Sequence, residues 1–249
     1  MQLVVFDMDG TLAESKQEMD TEMSNLLTKL LKAKKVAVIS GGKYGQFEKQ
    51  FLGSLNKEAN LNNLFLFPTC STSFYKYNKE KISWECIYSL DLTKEEKKQI
   101  FEAFEKTFKE TNYKHPETLY GEVLEDRQTQ ITMSALGQNA PVELKKEWDP
   151  NQEKRRKLKA VLDKYLKDFE VRMGGTTSID VSRKGIDKAY GINKIEEILR
   201  IKKEEMIFIG DALYEGGNDY PVKKTGVKCV EVKGPDDTMR EIRKILWKF

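Results

Sequence analysis

Apolar positions in this chain change their spacing from segment to segment, and the spacing predicts the elements. Leu3-Val4-Val5-Phe6 and Val36-Ala37-Val38-Ile39 are short unbroken apolar runs, the pattern of strands buried on both faces. Between them Met19, Met23, Leu26, Leu27, Leu30 and Leu31 recur every three or four residues, which predicts an amphipathic helix over 19–33. A second helix is predicted from Tyr44 to Leu52, with Gly53 as its stop. Strand, helix, strand, helix opens a parallel α/β sheet. The same alternation returns after Lys184. A helix is predicted over 188–200, strands over 206–209 and 227–232, and a last helix that buries Met239, Ile242, Ile245 and Leu246.

The segment between has a different pattern. Ile82–Tyr88 reads as a strand, and Thr93-Lys94-Glu95-Glu96 as a capping box opening a helix with Ile100, Phe101, Phe104 and Phe108 on its apolar face. Strands are expected at 119–124, 130–134, 169–173 and 178–181. A second helix is expected to start at Asp149-Pro150 and to bury Leu158, Val161, Leu162, Tyr165, Leu166 and Phe169. The charged run Lys154-Arg155-Arg156-Lys157 reads as its solvated face. Two helices on a small, largely antiparallel sheet form an α+β insert. The expected domains are therefore a split α/β core, 1–83 with 184–249, and an insert over 84–183.

Composition narrows the chemistry. Lys plus Arg is 43 and Asp plus Glu is 40, a net charge of +3, so no nucleic-acid partner is expected. No apolar run approaches the roughly 20 residues of a membrane span, so no membrane partner is expected either. Cys70, Cys86 and Cys229 are widely spaced, without metal spacing, and read as reduced thiols of a cytoplasmic protein. His115 is the only histidine and precedes Pro116 in a polar stretch, which leaves little room for a histidine base.

Carboxylates carry the chemistry instead. Asp7-Met8-Asp9-Gly10-Thr11-Leu12 follows the first strand. Acids at i and i+2 leave a strand on one side, and Gly10 allows a sharp turn after them. The second strand ends in Ser40-Gly41-Gly42. The strand at 206–209 ends in Gly210-Asp211 and leads to Gly216-Gly217-Asn218-Asp219. Lys188 stands early in the preceding helix. These are the groups that phosphoryl transfer needs: a carboxylate to attack phosphorus and carboxylates to hold a hard cation. A hydroxyl and a lysine hold the remaining oxygens, and a second acid protonates the leaving group.

Together, Asp7-Met8-Asp9-Gly10-Thr11, Ser40, Lys188 and Gly210-Asp211 with Asn218-Asp219 resemble the four motifs of the haloacid-dehalogenase superfamily. The resemblance spans the chain and implies a Rossmann-like parallel-sheet core with an inserted α+β cap of the larger, Cof-like type. Gly174-Gly175-Thr176-Thr177-Ser178-Ile179-Asp180-Val181, Gly185-Ile186-Asp187-Lys188 and Asp236-Asp237-Thr238 are most similar to eukaryotic-type phosphomannomutases. The resemblance implies Asp7 as the nucleophile and Asp9 as general acid/base. It also implies a Mg2+ on Asp7, Asp9 (through its carbonyl) and Asp211, supported by Asn218 and Asp219. Thr11, Ser40, Gly41 and Lys188 would bind phosphate, and Arg127, Ser178 and Asp180 the phosphorylated hexose. A homodimer through the cap would follow from the same likeness.

The chain also departs from that family. Lys16 stands where the mutases carry arginine, and Gln138 and Lys145 where they carry two more. Arginine forks grip a phosphate in a way that a lysine point charge does not. The sequence therefore leaves three readings: a hexose-phosphate mutase, a sugar-phosphate phosphatase of the same fold, and a non-catalytic sugar-phosphate sensor.

Overall fold

Leu3 and Val5 of the first strand enter one hydrophobic core, and Val4 and Phe6 enter another, because successive strand residues point to opposite faces. A sheet that separates two cores needs helices on both sides. The computed structural model, which describes residues 1–15 and 17–247, supplies them. The chain opens with β1 (Leu3–Asp7), α1 (Thr21–Ala33), β2 (Lys35–Ile39) and α2 (Tyr44–Phe47), which runs into a π-helical turn, Glu48–Leu52. Next come β3 (Leu64–Phe67), the short turn α3 (Pro68–Ser71), β4 (Ser73–Asn78) and β5 (Ser83–Ser89). The middle holds α4 (Lys94–Glu110), β6 (Leu124–Asp126), β7 (Gln130–Ser134), α5 (Val142–Trp148), α6 (Glu153–Tyr165), β8 (Phe169–Gly174) and β9 (Ser178–Arg183). The chain closes with α7 (Lys188–Leu199), β10 (Met206–Gly210), α8 (Tyr220–Lys223), β11 (Lys228–Glu231) and α9 (Pro235–Trp247).

Two units result: Met1–Ser89 with Asp187–Phe249, and Leu90–Ile186. The larger is a sheet of order β11-β10-β1-β2-β3-β4-β5, parallel from β11 to β3 and antiparallel beyond. Helices α1 and α9 cover the Val4 and Phe6 face through Leu27, Leu31, Met239 and Ile242, and α7 covers the other through Ile192 and Ile195. Each such side chain contributes roughly 1.5–3 kcal/mol on burial. From β1 the chain winds outward through β2 and β3, then returns to wind the opposite way through β10 and β11. The crevice between β1 and β10, at the strands' carboxyl ends, is where such a sheet takes its ligand.

The smaller unit has an antiparallel sheet of order β6-β7-β9-β8. Ile131, Met133, Ile179, Val181 and Val171 pack with Ile100 and Phe104 of α4 and Leu158 and Leu162 of α6. The alternate residues, Thr132, Ser134, Ser178 and Asp180, are polar and share the opposite face, with Thr132 beside Asp180 and Ser134 beside Ser178. The capping box of α4 forms: the Glu96 amide donates to Thr93 Oγ1 at 3.1 Å, and the Thr93 amide to Glu96 Oε2 at 2.7 Å.

Some expectations are corrected. The strand expected at 82–88 in the insert is β5, which pairs with β4 at the edge of the larger sheet. Strands β3 and β4 and helix α5 were not anticipated. No strand runs over 119–124, because Gly121 takes a φ of +100° and the Tyr120 backbone bonds Leu136 and Asn139 instead; only β6 remains. Helix α6 starts at Glu153 rather than Asp149-Pro150, since Gln152 has a φ of +64°. Arg155 is buried rather than on a solvated face.

Candidate active site

Three parallel strands deliver the site, each at its carboxyl end. Asp7 is the last residue of β1, Ser40 follows β2, and Asp211 follows β10. Lys188 comes from the first position of α7, whose N-cap Asp187 accepts from the Tyr190 amide at 2.9 Å. The lysine is 1% exposed. Its Nζ donates to Asp7 Oδ1 at 2.5 Å and to Asp219 Oδ1. Asp219, 0% exposed, also accepts from the Ala212 amide through Oδ2 at 3.1 Å, which closes the Asp211–Asp219 loop on itself.

Carboxylate oxygens of Asp7, Asp211 and Asp219 lie within 4.8 Å of one another. Glycines permit the approach: a Cβ on Gly10 would stand 2.5 Å from Asp211 Oδ2, and one on Gly210 would stand 2.3 Å from Asp219 Oδ2. Gly10 also has a φ of +81°, a conformation glycine adopts without penalty. Thr11 is fully buried, with its hydroxyl 3.5 Å from both Asp7 Oδ2 and Asp211 Oδ1. Burial pushes the Asp7 carboxyl well above the usual carboxylate range; Lys188 opposes the shift, and Asp219 and Asp211 add to it. Asp211 is likewise raised by burial and then by Asp219. Burial disfavours the Lys188 ammonium, but Asp219 and Asp7 outweigh it and raise it above the usual lysine range. One ammonium thus serves three acids. Hard oxygen donors with surplus negative charge fit a Mg2+-type cation.

Asp9 plays a different part from Asp7. Gln46 Nε2 donates to its Oδ2 at 2.9 Å and Gln50 Nε2 to its Oδ1 at 3.4 Å. The carboxylate cluster consists of Asp7, Asp211 and Asp219, with the Asp9 side chain outside it. The two glutamines stand four residues apart, one helical turn, a spacing that marks them as a pair on one helix face. Ser40 Oγ, buried, accepts from the Gly42 amide at 3.1 Å, and Gly41 is half-buried beside it. Asn218 is exposed on the loop. Lys16 lies outside the described residues.

The remaining candidates lie in the smaller unit. Asp180 Oδ1 accepts from Thr132 Oγ1 at 2.7 Å, and Ser178 Oγ stands 3.3 Å from Ser134 Oγ. Gln138 Nε2 donates to Ser134 Oγ at 2.7 Å, and Lys145 Nζ to the Gln138 carbonyl at 2.7 Å. Arg127 Nε donates to Glu125 Oε2 at 2.8 Å.

Comparison with known proteins fixes the family. The family model for eukaryotic phosphomannomutase matches residues 23–248. The chain belongs to the eukaryotic phosphomannomutase family. A phosphomannomutase from Encephalitozoon cuniculi is 30% identical over 260 residues, covering 99% of this chain and 94% of that protein. One from Schizosaccharomyces pombe is 29% identical over 254 residues, covering 98% and 93%. Among solved structures, a haloacid dehalogenase-like hydrolase from Bacteroides thetaiotaomicron superposes with a TM-score of 0.64 at 16% identity, covering 98% of this chain and 99% of that one. Plasmodium falciparum IMP-nucleotidase superposes at 0.71 with 17% identity, covering 98% and 62%. These two show that this phosphomannomutase-family chain has the haloacid-dehalogenase fold. No helix among the described residues is long and apolar enough to cross a membrane.

Proposed function

We propose that the protein interconverts hexose 6-phosphate and hexose 1-phosphate through an aspartyl phosphate on Asp7. The observation that carries this reading is the buried Asp7 carboxylate at the end of β1, its Oδ1 held by Lys188 and its Oδ2 3.5 Å from the Thr11 hydroxyl. Asp7 Oδ2 forms a bond to phosphorus as the ester oxygen–phosphorus bond breaks. The leaving sugar oxygen takes a proton from the Asp9 carboxylic acid. In the return step the Asp9 carboxylate accepts the proton of a hexose monophosphate's free hydroxyl, which attacks the aspartyl phosphate, gives the hexose bisphosphate and frees Asp7; transfer of the bisphosphate's other phosphoryl group to Asp7 completes the interconversion. Thr11, Ser40 and Lys188 hold the phosphoryl oxygens. Asp7, Asp211 and the Asp9 carbonyl would hold Mg2+, with Asn218 and Asp219 supporting it. Bound there, the cation would supply positive charge against the phosphoryl oxygens and favour the ionised Asp7 carboxylate. Arg127, Gln138, Lys145, Ser178 and Asp180, with Lys16, would receive the sugar and its far group. A cytoplasmic homodimer joined through the smaller unit belongs to the same reading, and sedimentation checks it.

One observation favours a phosphatase as the second reading. Arg127 is already paired with Glu125, and Lys145 is buried on the Gln138 carbonyl, so cationic groups for a second phosphate are engaged elsewhere. Water would then discharge the aspartyl phosphate, with Asp9 taking its proton. The test supplies mannose 1-phosphate, Mg2+ and a trace of hexose bisphosphate, and follows hexose 6-phosphate and free phosphate together. Release of free phosphate alone refutes the mutase. Asp7→Asn abolishes both activities; turnover by that variant refutes the nucleophile.

A further inference from the structure

Arg155 stands in a charged run, yet it is 3% exposed and hydrogen-bonds to groups inside the smaller unit. Its Nε donates to Asp149 Oδ2 at 2.8 Å, and that carboxylate is itself 0% exposed. The other Asp149 oxygen accepts from the Lys154 amide at 3.0 Å, so Asp149 also caps α6, whose own N-cap residue makes no side-chain bond. The far side of the guanidinium reaches the sheet. Arg155 Nη1 donates to the carbonyls of Gly174 at 3.2 Å and Gly175 at 2.7 Å. These carbonyls form the turn between β8 and β9, where Gly175 has a φ of +46°. The turn leads directly to Ser178 and Asp180. A Cβ on Gly174 would stand 2.6 Å from Asp180 Oδ2, so the position of this backbone limits where the Asp180 carboxylate can lie.

We propose that Arg155 is a positioning residue for the sugar-binding face of the smaller unit, acting through the 174–178 turn on Ser178 and Asp180. The inference rests on the hexose-phosphate reading above. A planar fork reaches the carboxylate and both carbonyls at once, which a lysine ammonium at the end of a flexible stem does not.

The full-length protein tests it. Turnover of mannose 1-phosphate by the wild type is measured first; none, across a panel of hexose phosphates, removes the functional reading and this one with it. Given wild-type turnover, Arg155→Lys raises KM roughly tenfold or more while kcat stays within about threefold, because uniform sugar binding is lost and the chemistry is not. Asp149→Asn leaves the carbonyl contacts in place, so it lowers the melting temperature and keeps KM within about twofold. An unmoved KM in Arg155→Lys, or an equal rise in Asp149→Asn, overturns the proposal. Hydrogen exchange in the wild type reads the same loop without substitution, should Arg155→Lys not fold. Saturating mannose 1-phosphate slows exchange at the amides of residues 175–178, and unchanged exchange overturns the proposal.

Discussion

Replacing Ser71 by glycine should stabilise the protein. Thr69, Cys70 and Ser71 form one left-handed turn, with φ of +48°, +53° and +72°, and a non-glycine residue there costs about 1–2 kcal/mol. The turn is held against the Ser40–Gly42 loop: the Thr69 amide donates to the Gly42 carbonyl and the Cys70 amide to that of Ser40, each at 2.9 Å. Ser71 is 0% exposed, and its hydroxyl has no hydrogen-bond partner. An unpaired buried hydroxyl costs a further ~1–3 kcal/mol. Glycine removes both penalties, but the unfolded chain gains about 0.5–1 kcal/mol of freedom and a small contact with α7 is lost. The net expectation is a gain of about 1–4 kcal/mol, or at least roughly 2–4 °C in melting temperature for a chain of this size. Ser71→Ala separates the two terms, since it keeps the left-handed strain and removes only the hydroxyl; more than half the gain should remain. Calorimetry and urea denaturation of both variants give the answer. A glycine variant no more stable than wild type refutes the strain argument, and an alanine variant that loses stability refutes the unpaired hydroxyl.

Three further outcomes follow from other clusters. Lys188→Met leaves Asp7 and Asp219 buried without their counter-charge and should cost about 3–5 kcal/mol along with turnover; a loss under about 1 kcal/mol by urea denaturation contradicts the buried pairing. Glu96 is held at about 2, chiefly by its hydrogen bonds from Arg183, so its stabilisation is present above the ordinary carboxylate range and is lost as pH falls toward 2. Glu96→Gln should therefore cost about 1 kcal/mol near neutrality, discounted for solvent screening, with the gap to wild type closing from pH 5 downward; a gap that is independent of pH contradicts it. Gln50→Leu removes one hydrogen bond to Asp9 Oδ1 and should lower kcat about tenfold or more, because misplaced reacting groups lose rate steeply; unchanged steady-state kcat means that Gln50 does not position Asp9.

What could be read from the sequence followed physical locality. Strands β1, β2 and β10 and helices α1, α4, α7 and α9 show in the spacing of their own side chains. Asp7 and Asp211 were legible because glycine and short polar residues mark the strand ends that carry them, and Lys188 because it stands at the start of the helix before β10. Strands β3 and β4 were not, since Leu64–Phe67 is only four residues and β4 is half polar. Gln46 and Gln50 look like ordinary helix surface until Asp9, just after β1, is brought beside them. Arg155 was misread for a related reason: a charge in a charged run reads as solvated unless its partner, six residues back, is seen to be buried with it.

The interrupted path of the larger unit has a consequence for how the protein is made. Asp7 emerges before the smaller unit, yet its partner Lys188 lies 181 residues later and Asp219 later still. The smaller unit is continuous, Leu90–Ile186, and domains generally fold as units during synthesis. It can therefore finish while the sheet around the nascent β1 still lacks β10 and β11. Until then the acids of the first motif stay hydrated and harmless, and the charge cluster closes as one of the last events of folding. Long-range closure of this kind is slow. A substitution that slows β10 docking would reduce the yield of active enzyme while leaving the smaller unit intact.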